Sequence, residues 1–282
     1  MKISFFQYLP EFNNLQENIA NIVSLIQKNK ENILKTDILV FPEYSFSGPL
    51  NLDNFENYKK QITDMSVISI LEKISKELKG VTIIFGSMIL PMKNKTFANT
   101  SMVFKNGKIV GTYDKKALIY NENYICTASK KYLKFNVGKY KIGLAICWDL
   151  ILPEVFRNYV NEIDLIIIPS FWGIGGNLLQ SKYKFSLEKK YYRQLCVSRA
   201  YENAFALLFV NSVGEYKSSF YTDRMMGGSL AIMPPLGEVY FSNDKNPNNI
   251  HIIEMDFKFL KEYREYYATD KDFKYYKSKN IF

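Results

Sequence analysis

The sequence predicts an α/β fold built on two sheets. Short runs of β-branched and apolar residues alternate with amphipathic stretches along the whole chain, which is the pattern of strands alternating with helices. Both tight hairpin turns and long crossovers occur, and this mixture favours two sheets over one. No repeat, low-complexity linker or block of like charge divides the 282 residues. We therefore expect a single domain over residues 1–282.

Hydrophobic spacing places the elements of the first part of the chain. Apolar residues between 15 and 26 recur at the spacing of one helix face. A second helix contains residues 70–78, and Gly80 ends it. Asn106-Gly107 tolerates the positive φ of a tight hairpin turn. The predicted strands are 2–6, 37–41, 81–88, 100–105 and 108–113.

The rest of the chain continues the alternation. Pro153 opens a helix at its first turn, where a missing N–H does no harm. The strand at 164–170 has almost no polar position, so we expect it to be buried on both faces. A long helix is predicted from about Ser181 to Glu202. The remaining predicted strands are 140–146, 204–210 and 228–233.

Composition limits the possible functions. The formal charge of +9 is scattered and interleaved with Asp and Glu, whereas a contiguous basic stripe is typical of nucleic-acid binding. No apolar run approaches the roughly 20 residues that a membrane span needs. Three unevenly spaced cysteines without a CxxC motif do not make a disulfide framework. We therefore expect a cytoplasmic protein that binds neither nucleic acid nor membrane.

The scarcity of histidine restricts the possible chemistry. His251 is the only histidine, so any Cys–His or Ser–His mechanism must use it. A histidine-rich metal site is excluded for the same reason. The position of His251 at the start of a late strand indicates an edge or surface residue rather than a catalytic one.

Cys147 is the strongest candidate nucleophile. The strand 140–146 ends on it, and a helix follows within six residues. Sites in α/β folds form at such strand ends, and nearby helix amides favour a thiolate. The alternative is a buried structural cysteine. Cys126, in an irregular loop, and Cys196, inside the long helix, are weaker candidates.

Without histidine, the thiol needs another base. Glu43 follows the strand 37–41, and its apolar neighbours would raise the pKa of its carboxyl towards the range useful for proton transfer. The alternative is an ordinary loop glutamate. Lys115 and Lys116 follow the strand 108–113, and an ammonium beside the thiol would lower the pKa of that thiol and stabilise an oxyanion. The two lysines point to opposite sides of an extended chain, so either one is compatible with this role.

Five segments, in this order, resemble the nitrilase superfamily of carbon–nitrogen hydrolases. FPEYSFSG is similar to the family's glutamate segment, YDKKAL to its lysine segment and KIGLAICWDLILPEVFR to its nucleophile segment. SRAYENAFALLFVNSVG and GGSLAIMPPLGEV are also family-like. The resemblance implies that Glu43 is the general base, that Lys115 rather than Lys116 is the cation, and that Cys147 is the attacking residue.

The resemblance also implies a four-layer α-β-β-α sandwich that pairs into a homodimer or a higher homo-oligomer, and an enzyme that requires no metal or cofactor. A second glutamate is expected to position the lysine or the substrate, and Glu122 is its best counterpart. The chain departs from the family at Ala117, where histidine is frequent, and at Ala128-Ser129, where Pro-Gly is frequent. Both departures fall in the loop from 117 to 130, which bears on the shape of the pocket.

The resulting hypothesis is hydrolysis of a small amide or N-carbamoyl compound through a thioester on the cysteine. Trp148 is expected to offer its backbone N–H to the oxyanion. Tyr44, Phe171 and Trp172 are expected either to line the pocket or to pack in the core. By resemblance, Asp149 favours amide or N-carbamoyl substrates, because nitrile-hydrolysing members tend to carry glutamate there. The alternatives are a nitrilase that makes acid and ammonia, and a non-catalytic binding protein that kept the fold.

Two further segments carry expectations. Gly173, Gly175 and Gly176 suit a mobile loop beside the site. From about Glu262 onward, aromatic residues are interleaved with charges, which is compatible with a solvated tail. By resemblance, this tail is expected to lie across a dimer partner.

Overall fold

The computed structural model describes residues 1–64, 66–93, 96–175, 185–217, 222–267 and 269–279. The strands are β1 Lys2–Phe6, β2 Ile38–Val40, β3 Thr82–Pro91, β4 Phe97–Lys105, β5 Lys108–Asp114, β6 Lys134–Val137, β7 Tyr140–Leu144, β8 Leu165–Ser170, β9 Gly173–Gly175, β10 Ala206–Asn211, β11 Val213–Lys217, β12 Thr222–Met226, β13 Leu230–Met233, β14 Gly237–Phe241 and β15 Ile250–Glu254. The helices are α1 Leu15–Lys28, α2 Lys30–Ile33, α3 Leu52–Asp64, α4 Val67–Glu77, α5 Pro153–Arg157, α6 Phe185–Asn203, α7 Lys258–Tyr267 and α8 Thr269–Ser278.

Two six-stranded sheets form the centre of the molecule. Their strand orders are β15-β1-β2-β3-β4-β5 and β14-β13-β10-β8-β7-β6. In each sheet three central strands run parallel, β1 to β3 in the first and β7, β8 and β10 in the second. Antiparallel strands continue each sheet to its edges. The parallel centres matter for the site, because the carboxyl ends of parallel strands meet at one edge.

Alternation along β2 shows how the layers stack. Ile38 and Val40 join the apolar core that also contains Leu207 of the second sheet. Leu39, between them, joins a separate core with residues of α1 and α4. Burying a side chain of this kind stabilises the fold by about 1.5–3 kcal/mol. Helices α5 and α6 pack against the second sheet and belong to the same core as its strands. The layers therefore run α-β-β-α, and the predicted sandwich is confirmed.

Most of the predicted elements are present, and the differences have local causes. Helix α3 was not predicted, because its sequence is mainly polar and its apolar residues are few; it is held by Tyr58, whose buried hydroxyl donates to the Ile89 carbonyl at 2.7 Å. The predicted loop at Gly173 and Gly175 is wrong, because both lie in β9, which pairs with β12. Gly176 and the predicted start of the long helix, 181–184, lie outside the described residues.

Residues 262–267 and 269–278 of the C-terminal region lie in α7 and α8, and α7 packs on the body of the same chain. The Tyr263 hydroxyl donates to the Tyr201 carbonyl at 3.0 Å. Arg264 donates to the Ala204 carbonyl at 2.8 Å and to Asp164 at 3.1 Å. Helix α7 is therefore docked rather than a solvated tail, and contact with a partner remains a prediction. Within the ranges the structure describes, no helix has both the length and the apolar character to cross a membrane.

Candidate active site

Glu43, Lys115 and Cys147 come together at one edge of the sandwich. They follow β2, β5 and β7, which lie in two different sheets. Lys115 Nζ donates to Glu43 Oε1 at 2.8 Å, and the Cys147 thiol lies close enough for both charges to act on its pKa, Glu43 raising it and Lys115 lowering it. Exposure is 1% for Glu43 and Lys115 and 7% for Cys147. The site therefore joins a thiol, an acid and an ammonium in a region that largely excludes water.

Cys147 lies at a sharp turn after β7. Its φ is +43°, a left-handed conformation that costs a non-glycine residue about 1–3 kcal/mol. A 3-10 helix, Cys147–Ile151, starts at this residue. A strained turn between a strand and a helix is a known way to present a nucleophile at the end of a sheet. Tyr44, beside Glu43, also has a positive φ of +59°.

Asp149 holds the turn at Cys147 against the segment that carries Lys115. It is fully buried. Its Oδ1 accepts the backbone N–H groups of Lys116 at 3.0 Å and Ala117 at 2.7 Å. Its Oδ2 accepts the N–H of Ile146 at 2.8 Å and the hydroxyl of Tyr113 at 2.7 Å. These bonds explain an acid at this position without reference to the substrate, so Asp149 does not distinguish amides from nitriles.

The two neighbouring lysines point in opposite directions. Lys115 enters the buried cluster, where two carboxylates hold its ammonium. Lys116 turns away, donates to the Ser129 carbonyl at 3.3 Å and lies 3.9 Å from the centre of the Tyr132 ring. The geometry therefore brings Lys115, and not Lys116, to Cys147. The contacts of Lys116 hold the loop that contains Ser129 and Tyr132.

Glu122 is the second carboxylate on Lys115. It lies in the 3-10 helix Tyr120–Tyr124, and its Oε2 accepts from Lys115 Nζ at 2.7 Å and from the Ile119 N–H at 3.0 Å. The hydroxyl of Tyr44 donates to its Oε1. Burial alone would raise the pKa of Glu122, but the Lys115 charge and these hydrogen bonds outweigh burial and lower it. Glu122 is accordingly the permanent counter-charge of the lysine.

Asn99 is a member of the cluster that the sequence analysis missed. It lies on β4, and its Nδ2 donates to Glu43 at 2.9 Å and to Glu122 at 2.8 Å. The only sequence signal is a polar residue at a strand position that proves to be buried. Its partners are 56 and 23 residues away along the chain, so local pattern gives no hint of them.

The pKa values of the three central groups describe the resting site. Burial raises the pKa of Glu43, against the attraction of Lys115. Burial also raises the pKa of the Cys147 thiol well above its usual value, and the negative charge of Glu43 adds to this. The lysine was expected to lower the pKa of that thiol, but its effect is outweighed. Lys115 itself stays charged, because the two glutamates raise its pKa despite burial. The resting side chain of Cys147 is therefore a thiol.

The aromatic residues expected near the site divide into two groups. Tyr44 and Phe171 contact the cluster: Tyr44 through Glu122, and Phe171 through its N–H, which donates to Glu43 Oε2 at 3.0 Å. Trp172 is only 5% exposed, and its ring packs 5.2 Å from that of Trp148. Trp148 is 37% exposed. Trp172 is thus largely core, whereas Trp148 presents an open aromatic surface next to Cys147.

Two of the other reactive side chains lie apart from this cluster, whereas Cys126 lies beside it, within range of the charges of Glu122, Lys115 and Glu43. Cys196 is fully buried within α6. Cys126 is also buried, and burial raises the pKa of its thiol to about 12. His251 lies on β15, an edge strand, with Nδ1 2.8 Å from the hydroxyl of Tyr240 and its ring stacked on Phe5. The edge position expected for the histidine is confirmed.

The cluster of a cysteine, two glutamates and a lysine lies on an α-β-β-α sandwich, which is the combination that the sequence resemblance implies for a carbon–nitrogen hydrolase. The family model for carbon–nitrogen hydrolases matches residues 2–265 of this chain. The chain therefore belongs to the carbon–nitrogen hydrolase family and is a carbon–nitrogen hydrolase enzyme.

Individual relatives are distant but cover nearly the whole chain. A probable nitrilase of Schizosaccharomyces pombe is 24% identical over 271 residues, 95% of this chain and 93% of the relative. A deaminated glutathione amidase of Dictyostelium discoideum is 24% identical over 270 residues, 90% of this chain and 87% of the relative. The crystal structure of a carbon–nitrogen hydrolase from Helicobacter pylori superimposes with a TM-score of 0.84 at 18% identity, covering 96% of this chain and 94% of that one.

Proposed function

We propose that this chain hydrolyses the carbon–nitrogen bond of a small amide or N-carbamoyl compound through a thioester on Cys147. The observation that carries the proposal is the buried ion pair of Lys115 with Glu43 at 2.8 Å, whose two charges act in opposite directions on the pKa of the Cys147 thiol. A thiol, a carboxylate and an ammonium in one buried site support the proposed roles of nucleophile, base and fixed positive charge. Similarity to an amidase supports an amide substrate.

The first half of the reaction forms the thioester. Glu43 takes the proton of the Cys147 thiol as sulfur attacks the substrate carbon. The oxyanion is held by Lys115 and by the backbone N–H of Trp148, and stabilisers of this kind are each worth about 3–4 kcal/mol. Glu43 then gives its proton to the departing nitrogen, the C–N bond breaks, and ammonia or an amine leaves.

The second half of the reaction releases the acid. Glu43 takes a proton from water, and the resulting hydroxide attacks the thioester carbon. The C–S bond then breaks, and the proton on Glu43 returns to the sulfur of Cys147. A carboxyl whose pKa is raised by burial suits both directions of proton transfer, because its pKa lies nearer to the working pH. Glu122 stays ionised and keeps Lys115 charged and in place.

A nitrilase reaction is the second candidate. The same thiol can attack the carbon of a nitrile, and the similarity to a probable nitrilase supports this substrate class. Paired amides and nitriles with the same acyl part distinguish the two, since an amidase yields acid from the amide alone. A non-catalytic binding role is the third candidate. It requires that Cys147 show no preferential reactivity towards thiol probes.

The decisive experiment is a screen of small amides, N-carbamoyl amines and nitriles, read by intact mass and by acid product. We expect an acyl adduct on Cys147 and release of ammonia or amine with the wild-type chain. Cys147→Ala should abolish both while retaining the fold, and Cys196→Ala, which alters a buried cysteine in α6, is the matched control. Turnover in Cys147→Ala contradicts the proposal.

We also propose that the chain forms a homodimer, as the family resemblance implies. Helix α6 exposes Tyr191, Val197 and Tyr201, which supply apolar surface for a second copy. The C-terminal helix α8 exposes Tyr275 and Tyr276. Tyrosines of this kind are enriched at protein interfaces. Measurement of the molecular mass in solution tests this proposal.

A further inference from the structure

The side-chain amide of Asn99 links the two carboxylates of the candidate active site. Its Nδ2 donates to Oε1 of Glu43 at 2.9 Å and to Oε1 of Glu122 at 2.8 Å. Asn99 is 1% exposed, so water does not replace these bonds. Its Oδ1 is buried without a hydrogen-bond partner in the described part of the chain. If the amide were flipped, Oδ1 would face two carboxylate oxygens, which would repel it. The two hydrogen bonds donated by Nδ2 therefore fix the orientation of the amide.

The two oxygens of Glu43 consequently have different surroundings. Oε1 accepts from Lys115 Nζ at 2.8 Å and from Asn99, which uses both acceptor positions of that oxygen. Oε2 accepts the N–H of Phe171 at 3.0 Å and retains one position. Oε2 is therefore the oxygen of this carboxylate that has room to accept the proton of the Cys147 thiol.

We propose that Asn99 is a positioning residue for the reaction: by occupying Oε1 of Glu43 and Oε1 of Glu122 together, it keeps both glutamates ionised and directs the Cys147 proton to Oε2 of Glu43. This inference rests on the proposed function. In the step, the S–H bond breaks and an O–H bond forms on Oε2. The electron pair left on sulfur forms the new bond to the substrate carbon.

The charge balance of the cluster shows why such a donor is needed. Two carboxylates face a single ammonium, and the other titratable groups around Glu43 are the thiols of Cys147 and Cys126 and the phenol of Tyr44. Each of these three adds negative charge on ionisation, so none compensates the second carboxylate. Two N–H donors from one amide stabilise the ionised form of both acids without adding a charge. Removing them should favour protonation of Glu43.

The test is the pH dependence of Cys147 alkylation by iodoacetamide, followed by peptide mapping to separate the three cysteines. Alkylation requires that Glu43 accept the thiol proton, so the rate rises as Glu43 ionises. In Asn99→Leu we expect the midpoint of this rise to move up by about one pH unit, a tenfold change in the protonation equilibrium. Asn99→Ala, which inserts no apolar group, should move it in the same direction and serves if the leucine variant does not fold.

Ser101→Ala is the matched control, since Ser101 is buried in the same strand and donates only weakly, at 3.4 Å, to the Phe85 carbonyl. It should keep the wild-type midpoint. A slower rate at every pH with an unmoved midpoint in the Asn99 variants indicates a merely structural role and overturns the inference. The proposed function is contradicted by a different result, in which Cys147 of the wild-type chain is neither alkylated preferentially nor acylated by substrate. The two failures are therefore distinguishable.

Discussion

The carboxylate of Asp149 accepts the backbone N–H of Ala117 at 2.7 Å, and this bond ties the turn of the nucleophile to the segment of the lysine. The same carboxylate receives three other donors. Because all four partners are donors, an amide at this position would set an N–H₂ group against at least one of them. The distance between Cys147 and Lys115 therefore depends on a side chain that touches neither.

The first prediction concerns this acid. Asp149→Asn should lower the free energy of unfolding by about 1–3 kcal/mol, since buried donors lose a charged acceptor. It should also lower kcat at least tenfold through displacement of the turn. Denaturant unfolding and steady-state kinetics on the best substrate of the screen check both effects. An Asn variant with wild-type kcat means that the turn holds its geometry without the carboxylate.

The second prediction concerns the pH dependence of turnover. Burial raises the pKa of Glu43, and the charge of Glu122 adds to that rise, so activity should fall on acidification at a pH above the usual range of a carboxyl. Glu122→Gln removes the added charge and should move this acidic limb to lower pH, opposite to the Asn99 variants. The profile of kcat/KM against pH is the measurement. If the acidic limb of the Glu122→Gln profile moves to higher pH, or does not move, the charge of Glu122 does not raise the pKa of Glu43.

Part of the candidate site was predictable from the sequence alone. Strand ends are visible as breaks in apolar runs, so the places of Glu43 and Cys147 were predictable, and motif resemblance separated Lys115 from Lys116. The roles of Asn99 and Asp149 were not predictable, because each depends on partners brought together by pairing of distant strands. The pattern of apolar residues identifies which residues lie at an edge of a sheet. Tertiary packing determines which polar groups hold those residues in place.

The third prediction concerns the buried ammonium. Lys115→Met leaves two buried carboxylates without their counter-charge, and loss of one partner of a buried pair costs about 3–5 kcal/mol. In the variant the pKa values of both glutamates should lie above their unfolded values, so the folded state binds more protons and stability should increase as the pH falls. Unfolding should therefore be easier near pH 8 than near about pH 5. Equal stability at both values contradicts this account.

The fourth prediction concerns Arg199, which joins α6 to the end of the nucleophile turn. Its Nε donates to the Leu150 carbonyl at 3.2 Å and its Nη2 to the Ile151 carbonyl at 3.2 Å. Arg199→Met keeps most of the apolar contact but removes both donors, so kcat should fall while KM changes little. Arg193→Met is the control, because Arg193 lies in the same helix and pairs with Glu238 on the surface. Equal effects of the two variants exclude a specific link to the turn.

The fifth prediction separates the docked and exposed parts of the C-terminal region. Helix α7 is anchored by Arg264 and Tyr263, whereas Tyr266, near its end, is 82% exposed. Truncation after Tyr267 should therefore leave the unfolding temperature nearly unchanged, while Arg264→Gln in the full chain should cost about 1–3 kcal/mol of stability. If the removed residues lie across a partner, the truncated chain should sediment as a monomer while the full chain is a dimer. A truncated chain that keeps the dimer mass rules out a dimerising role for this segment and leaves the exposed face of α6 to carry the proposed interface.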